Sequence, residues 1–84
     1  MRKLWEDLAW DVYADLPTRD RAYLKKLNMV IKDIERNGYA NAEMLKDNLS
    51  GYYSRNVSKK DRIVFRIVGD TLEIYSVRGH YSDK

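Results

Sequence analysis

The chain has 84 residues, 44% hydrophobic and 35% charged, and a formal net charge of +3. That length holds one domain, residues 1–84, which buries roughly 60–65% of the surface of its unfolded chain, and the composition is that of a folded domain rather than a disordered tail. The lack of cysteine excludes disulfides and Cys-based zinc sites, the single histidine excludes a His-rich metal centre, and no apolar run approaches the roughly 18–20 residues of a membrane span.

Met1 to Asp7 turns acidic at once, unlike a signal peptide, and with no cysteine present the expected compartment is a reducing cytoplasm. Arg2–Trp5 is short and reads as an edge strand. A helix is expected over Glu6–Leu16, with Ala9, Trp10, Tyr13 and Leu16 at three- and four-residue steps. Pro17 should end it. Thr18 is the expected cap of a second helix, and Asp20 suits its first turn. That helix runs to about Arg36 on a stripe of Tyr23, Leu24, Leu27, Val30, Ile31 and Ile34, and Asn37-Gly38 stops it. So short a joint makes the two helices an antiparallel hairpin, with Trp5 and Trp10 in the core.

Residues 39–50 read as a connection with a helical turn around Glu43–Lys46. Three strands follow: Tyr52–Val57, then Arg62–Val68 after the turn Ser58–Asp61, then Thr71–Arg78 after the tight turn Gly69-Asp70. The fold class is therefore α+β, an amphipathic helical hairpin packed on a twisted, mainly antiparallel sheet.

Charge is uneven along this order. Residues 1–48 hold nine Lys/Arg against nine Asp/Glu, whereas residues 49–84 hold seven against four, so the strand-rich half supplies the whole excess. A basic surface attracts phosphate backbones. His80 is the one side chain whose ordinary pKa suits proton transfer near neutrality, and Glu43 is a candidate base or the orienter of one. Arg62 could offset charge building on a phosphate or form a cross-strand ion pair with Glu73. Lys46, Arg55, Lys59, Lys60, Arg66 and Arg78 are candidate RNA or phosphate contacts. Tyr81 could stack on a base or donate a phenolic hydrogen bond. A carboxylate, an arginine, an imidazole and a phenol can cleave a phosphodiester without a metal.

Leu45-Lys46, Asn48-Leu49-Ser50-Gly51, Ser54-Arg55, Asp61-Arg62-Ile63-Val64-Phe65 and Arg78-Gly79-His80-Tyr81 together resemble the YoeB/Txe branch of the RelE/ParE toxins. Trp5, Trp10-Asp11, Tyr13 and Lys25-Lys26-Leu27-Asn28 through Asp33 continue the likeness over nearly the whole chain. The resemblance implies a RelE-like fold and the toxin of a type II toxin–antitoxin system, an endoribonuclease that cuts mRNA in the ribosomal A site. It places the acid–base glutamate on Glu43, the phosphate-binding arginine on Arg62 and the catalytic His-Tyr pair on His80 and Tyr81, and it matches Lys46 and Arg55 to basic positions. It implies no metal and no cofactor. The implied partners are a YefM/Axe-like antitoxin, the 70S ribosome with its A-site mRNA, and a second copy of the chain in a homodimer, all in a prokaryotic cytoplasm. Asn56 stands where the family often has a second arginine, and Asn41-Ala42-Glu43-Met44 replaces a proline-flanked glutamate. A gyrase-inhibiting, non-enzymatic toxin of the ParE kind and a catalytically weak RNA binder are the rival readings.

Overall fold

A computed structural model describes residues 1–79. The elements are β1 (Arg2–Trp5), α1 (Asp7–Arg19), α2 (Arg21–Asn37), β2 (Glu43–Met44), a 3-10 turn (Asp47–Leu49), β3 (Tyr53–Asn56), β4 (Arg62–Val68) and β5 (Thr71–Ser76). The strands form one sheet in the order β1-β5-β4-β3-β2. Neighbours are antiparallel except at one edge, where β1 runs parallel to β5 with Trp5 opposite Ile74. The sheet is thus mixed, and both helices lie on one of its faces.

Three local expectations are corrected. Pro17 does not end α1; the helix continues to Arg19. Proline cannot donate to the carbonyl four residues back, but so near a helix end that loss is confined to the last turn. The cap of α2 is Asp20, not Thr18. The Asp20 carboxylate accepts from Tyr23 N–H at 3.1 Å, whereas the Thr18 hydroxyl donates back to the Asp15 carbonyl. Glu43-Met44 is extended rather than helical, because it pairs with Ser54 and Tyr53 across the sheet. The good helix formers of that segment yield to a partner ten residues away.

The helices do form a hairpin about Asp20. The Tyr13 hydroxyl donates to Asn28 Oδ1 at 2.7 Å, and these residues lie nearly equidistant from the joint on either side. Gly38 closes α2 at φ 65, a conformation that suits glycine. The core is one cluster in which Leu16, Leu27, Ile31 and Ile34 meet Ile63, Phe65, Leu72, Ile74 and Val77. Tyr39 extends it, stacking on Tyr53 at 3.9 Å while its hydroxyl accepts from Ile67 N–H. Trp10 is not core: it is 49% exposed, and it packs edge-on to the partly buried Trp5 at 5.6 Å. Among the described residues, no helix is long and apolar enough to cross a membrane.

Candidate active site

Alternation along the strands decides what reaches the face away from the helices. Tyr53 and Arg55 on β3, and Ile63 and Phe65 on β4, turn toward α1 and α2. Ser54, Arg62, Val64 and Arg66 turn the other way. In register, Glu43 stands opposite Ser54 and Ser54 opposite Val64, with Arg62 one diagonal step from Ser54.

On this open face the Arg62 guanidinium is held at three points. Its Nε donates to the Ser54 hydroxyl, and its Nη2 donates to Glu43 Oε1 at 2.6 Å and to the Ser54 carbonyl at 3.5 Å. The Arg62 side chain is 15% exposed while that of Glu43 is 74% exposed. A fixed cation therefore lies beneath a carboxylate that solvent or substrate can reach. Among the described residues, the side-chain bonds of Arg62 run from Nε and Nη2. The anticipated pairing of Arg62 with Glu73 does not occur; Glu73 pairs with Arg66 instead.

The backbone adds a second connection. Arg62 N–H donates to the Gly79 carbonyl at 2.9 Å, and Gly79 N–H donates to Asp61 Oδ1 at 3.1 Å. The segment leaving β5 is thus tied to Arg62 at the start of β4 and to Asp61 just before it. Arg78 fastens it further, with Nη2 2.8 Å from Asp20 Oδ2 and the guanidinium 4.4 Å from the centre of the Tyr23 ring. The Tyr23 hydroxyl donates to the Val77 carbonyl at 2.7 Å, and burial pushes its pKa up. Hydrogen bonds from Tyr23 N–H and then Arg78 hold the Asp20 carboxyl below its ordinary pKa. His80 and Tyr81 lie outside the described residues.

Glu43 and Arg62 are brought into contact, then, but the other described candidates are spread out. Arg55 points to the helix side, where it pairs with Asp33 at 2.6 Å; that bond lowers the Asp33 pKa. Arg66 is bound to Glu73 at 2.6 Å and Arg78 to Asp20. Lys46 is exposed just after β2, and Lys59 and Lys60 are exposed in the β3–β4 turn. Among the described residues, no three His, Cys, Asp or Glu side chains gather to hold a metal ion. Ser54, Asp61 and the Gly79 backbone were missed from the sequence. The signal for Ser54 was present in its place between two inward residues, Tyr53 and Arg55, on a strand followed by the basic one.

Two helices on one face of a mixed sheet, with a guanidinium–carboxylate pair on the other, define a small α+β domain. The particular kind follows from likeness to known proteins. The family model for the YoeB-like toxin of bacterial type II toxin–antitoxin systems matches residues 5–81, and the chain belongs to that family. Toxin YoeB of Escherichia coli (strain K12) is 37% identical over 84 residues, covering 96% of this chain and all of the relative. The solved YoeB/ParE toxin from Agrobacterium tumefaciens is 31% identical and superposes with a TM-score of 0.89, covering 96% of this chain and 100% of the other. YoeB of Staphylococcus aureus was solved as a YoeB–YefM complex (TM-score 0.87, 30% identity, 96% and 98% covered) and as a YoeB dimer (0.86, 32%, 96% and 98%).

Proposed function

We propose that this toxin is a ribosome-dependent, metal-independent endoribonuclease that cuts mRNA in the A site. The observation that carries the reading is the Glu43–Arg62 contact on the open face, between residues 19 apart in sequence. In the proposed reaction the RNA 2′-hydroxyl gives its proton to Glu43 and attacks the adjacent phosphorus. The O2′–P bond forms, the P–O5′ bond breaks, and the leaving 5′-oxygen takes a proton from His80. Arg62 meets the extra negative charge on the phosphorane-like transition state, and its bonds to Ser54 set its orientation before substrate arrives. Tyr81 assists beside His80. The products are a 2′,3′-cyclic phosphate, or the 3′-phosphate it opens to, and a 5′-hydroxyl.

Lys46, Lys59 and Lys60 are the proposed contacts to phosphates of mRNA or ribosomal RNA, and their exposure supports that role. Arg55, Arg66 and Arg78 serve first as ion-pair partners that hold the frame of the site. The ribosome's part is to present mRNA in a fixed path, since orientation can contribute up to roughly 7–11 kcal/mol in the best-aligned cases. The Staphylococcus aureus structures support a YefM-like antitoxin as partner and a homodimer as a state of this chain.

The test is cleavage of one mRNA with and without programmed 70S ribosomes at matched toxin concentration, with end analysis of the products. The expected result is ribosome-dependent cuts within the A-site codon, abolished by His80→Ala. Equal rates without ribosomes would make the protein a general ribonuclease. No cleavage in either tube would favour the gyrase-inhibitor reading.

A further inference from the structure

Beyond Arg62, the open face continues into an aromatic patch that the proposed proton transfers do not use. Tyr52 precedes Ser54 by two residues and lies about 7 Å further along the same strand line. Its ring centre is 5.4 Å from that of Tyr75, with the planes at 49°. The Arg66 guanidinium sits 4.8 Å from the centre of the Tyr52 ring, and Glu73 fixes that guanidinium at 2.6 Å. Arg66 is thereby committed to the ring beside it rather than to a phosphate.

A β-bulge presents the second ring. Val64 pairs with Ser76 and Phe65 with Ile74, so Tyr75 is the extra residue of β5. Ile74 and Val77 are in the core, and the inserted residue lets both Tyr75 and Ser76 leave it. Tyr75 is 37% exposed, a large ring kept at the surface beside Tyr52.

We propose that Tyr52 and Tyr75 form a stacking platform for a nucleobase of the RNA strand whose phosphate Arg62 holds. Aromatic rings bind any base through its π-face, which suits a site that must accept varied codons. The Tyr52 ring, already packed against Arg66 and Tyr75, loses little freedom when a base stacks on the pair. An RNA strand fits this surface because its two chemistries alternate at short spacing. The anion goes to the Arg62 guanidinium where Ser54 holds it, and the flat apolar base goes to the rings beyond, Tyr52 standing two residues along from Ser54.

The inference rests on the nuclease reading, and its test separates the two. A short RNA with 2′-O-methyl ribose at every residue cannot be cleaved by 2′-hydroxyl attack. It is titrated into the full chain at low salt beside an abasic oligomer of the same length and phosphate count, with NMR of the tyrosine rings. The base-bearing oligomer should shift the Tyr52 and Tyr75 ring signals upfield and bind about tenfold tighter than the abasic one. Tyr75→Ala should erase that difference, and Tyr75→Phe should retain most of it. Equal binding of the two oligomers, or a base preference that Tyr75→Ala leaves intact, would overturn the platform even if ribosome-dependent cleavage stands. Base-dependent ring shifts in a protein that cleaves nothing would support the platform and sink the nuclease. No binding of either oligomer at millimolar concentration would overturn the platform.

Discussion

On the helix side of the sheet, Ile63, Phe65, Leu72 and Ile74 are closed over by Leu16, Leu27, Ile31 and Ile34. On the other side the same strands present Ser54, Arg62, Arg66 and Glu73, with Glu43 contributed from the short edge strand. The first side is held by non-directional burial, which tolerates small shifts. The second is held by hydrogen bonds and ion pairs whose geometry is specific. Among the described residues, no buried side-chain nitrogen or oxygen lacks a partner. On the proposed function, stability and chemistry are separated by the strand's two-residue period, and substitutions on neighbouring positions of β4 should report on one or the other.

Phe65 and Arg62 test that separation with the largest effects. Phe65 is fully buried, so Phe65→Ala should destabilise the domain by about 3–5 kcal/mol. That is a large share of the roughly 5–15 kcal/mol a small domain has. Arg62→Ala should lower cleavage by about two to three orders of magnitude, in line with loss of one preorganised donor to developing charge. Its effect on stability should be smaller, on the order of 1–2 kcal/mol, mainly from leaving the buried Ser54 hydroxyl without its donor. Urea unfolding and single-turnover cleavage measured on both variants decide the matter. If Arg62→Ala unfolds the protein as readily as Phe65→Ala, the open face is structural too.

The helix side was the easier one to read. The stripe Tyr23 to Ile34 and the alternation of β4 are local patterns, and they locate the hairpin and the central strands. What escaped depends on partners distant in sequence. The short strand Glu43-Met44 exists only because β3 offers it an edge, and the parallel pairing of β1 with β5 spans nearly the whole chain. Family likeness singled out Glu43 and Arg62, but not the Ser54 clamp between guanidinium and sheet. Nor could a list of basic residues distinguish Arg62, aimed at the open face, from Arg55, aimed at Asp33. That difference is set by register, since one residue along a strand reverses the face.

The joint between the two helices offers a pH test of the helix side. Hydrogen bonds from Tyr23 N–H and Arg78 hold the Asp20 carboxyl below its ordinary pKa. A carboxyl depressed in the folded state stabilises it fully above the unfolded value of about 3.9 and loses that contribution as pH falls through the folded value. Wild type should therefore exceed Asp20→Asn in stability at neutral pH, and the gap should close below about pH 4. Thr18→Ala, at the residue that does not cap α2, should show little gap at any pH. A gap between wild type and Asp20→Asn that persists unchanged into acid would mean that Asp20 acts through shape rather than charge.

The smallest expected effect concerns the turn between β3 and β4, exposed at Lys59 and Lys60. These cations stand next to Asp61 and Arg62 in sequence but take no part in the clamp on Arg62. Neutralising both should spare the fold, because surface charges of this kind contribute little to stability. It should also spare the chemical step on bound ribosomes, since Glu43 and Arg62 remain in place. What should change is attraction to the ribosome's phosphates. Each lost phosphate contact should flatten the logarithmic dependence of binding on salt by roughly one unit or slightly less. The measurement is ribosome affinity of wild type and Lys59→Gln/Lys60→Gln across a salt series, with single-turnover cleavage at saturation beside it. An unchanged slope would take the turn off the docking surface. A lost chemical step with unchanged affinity would move these lysines into the site, where they would do the work of the arginine that Asn56 replaces.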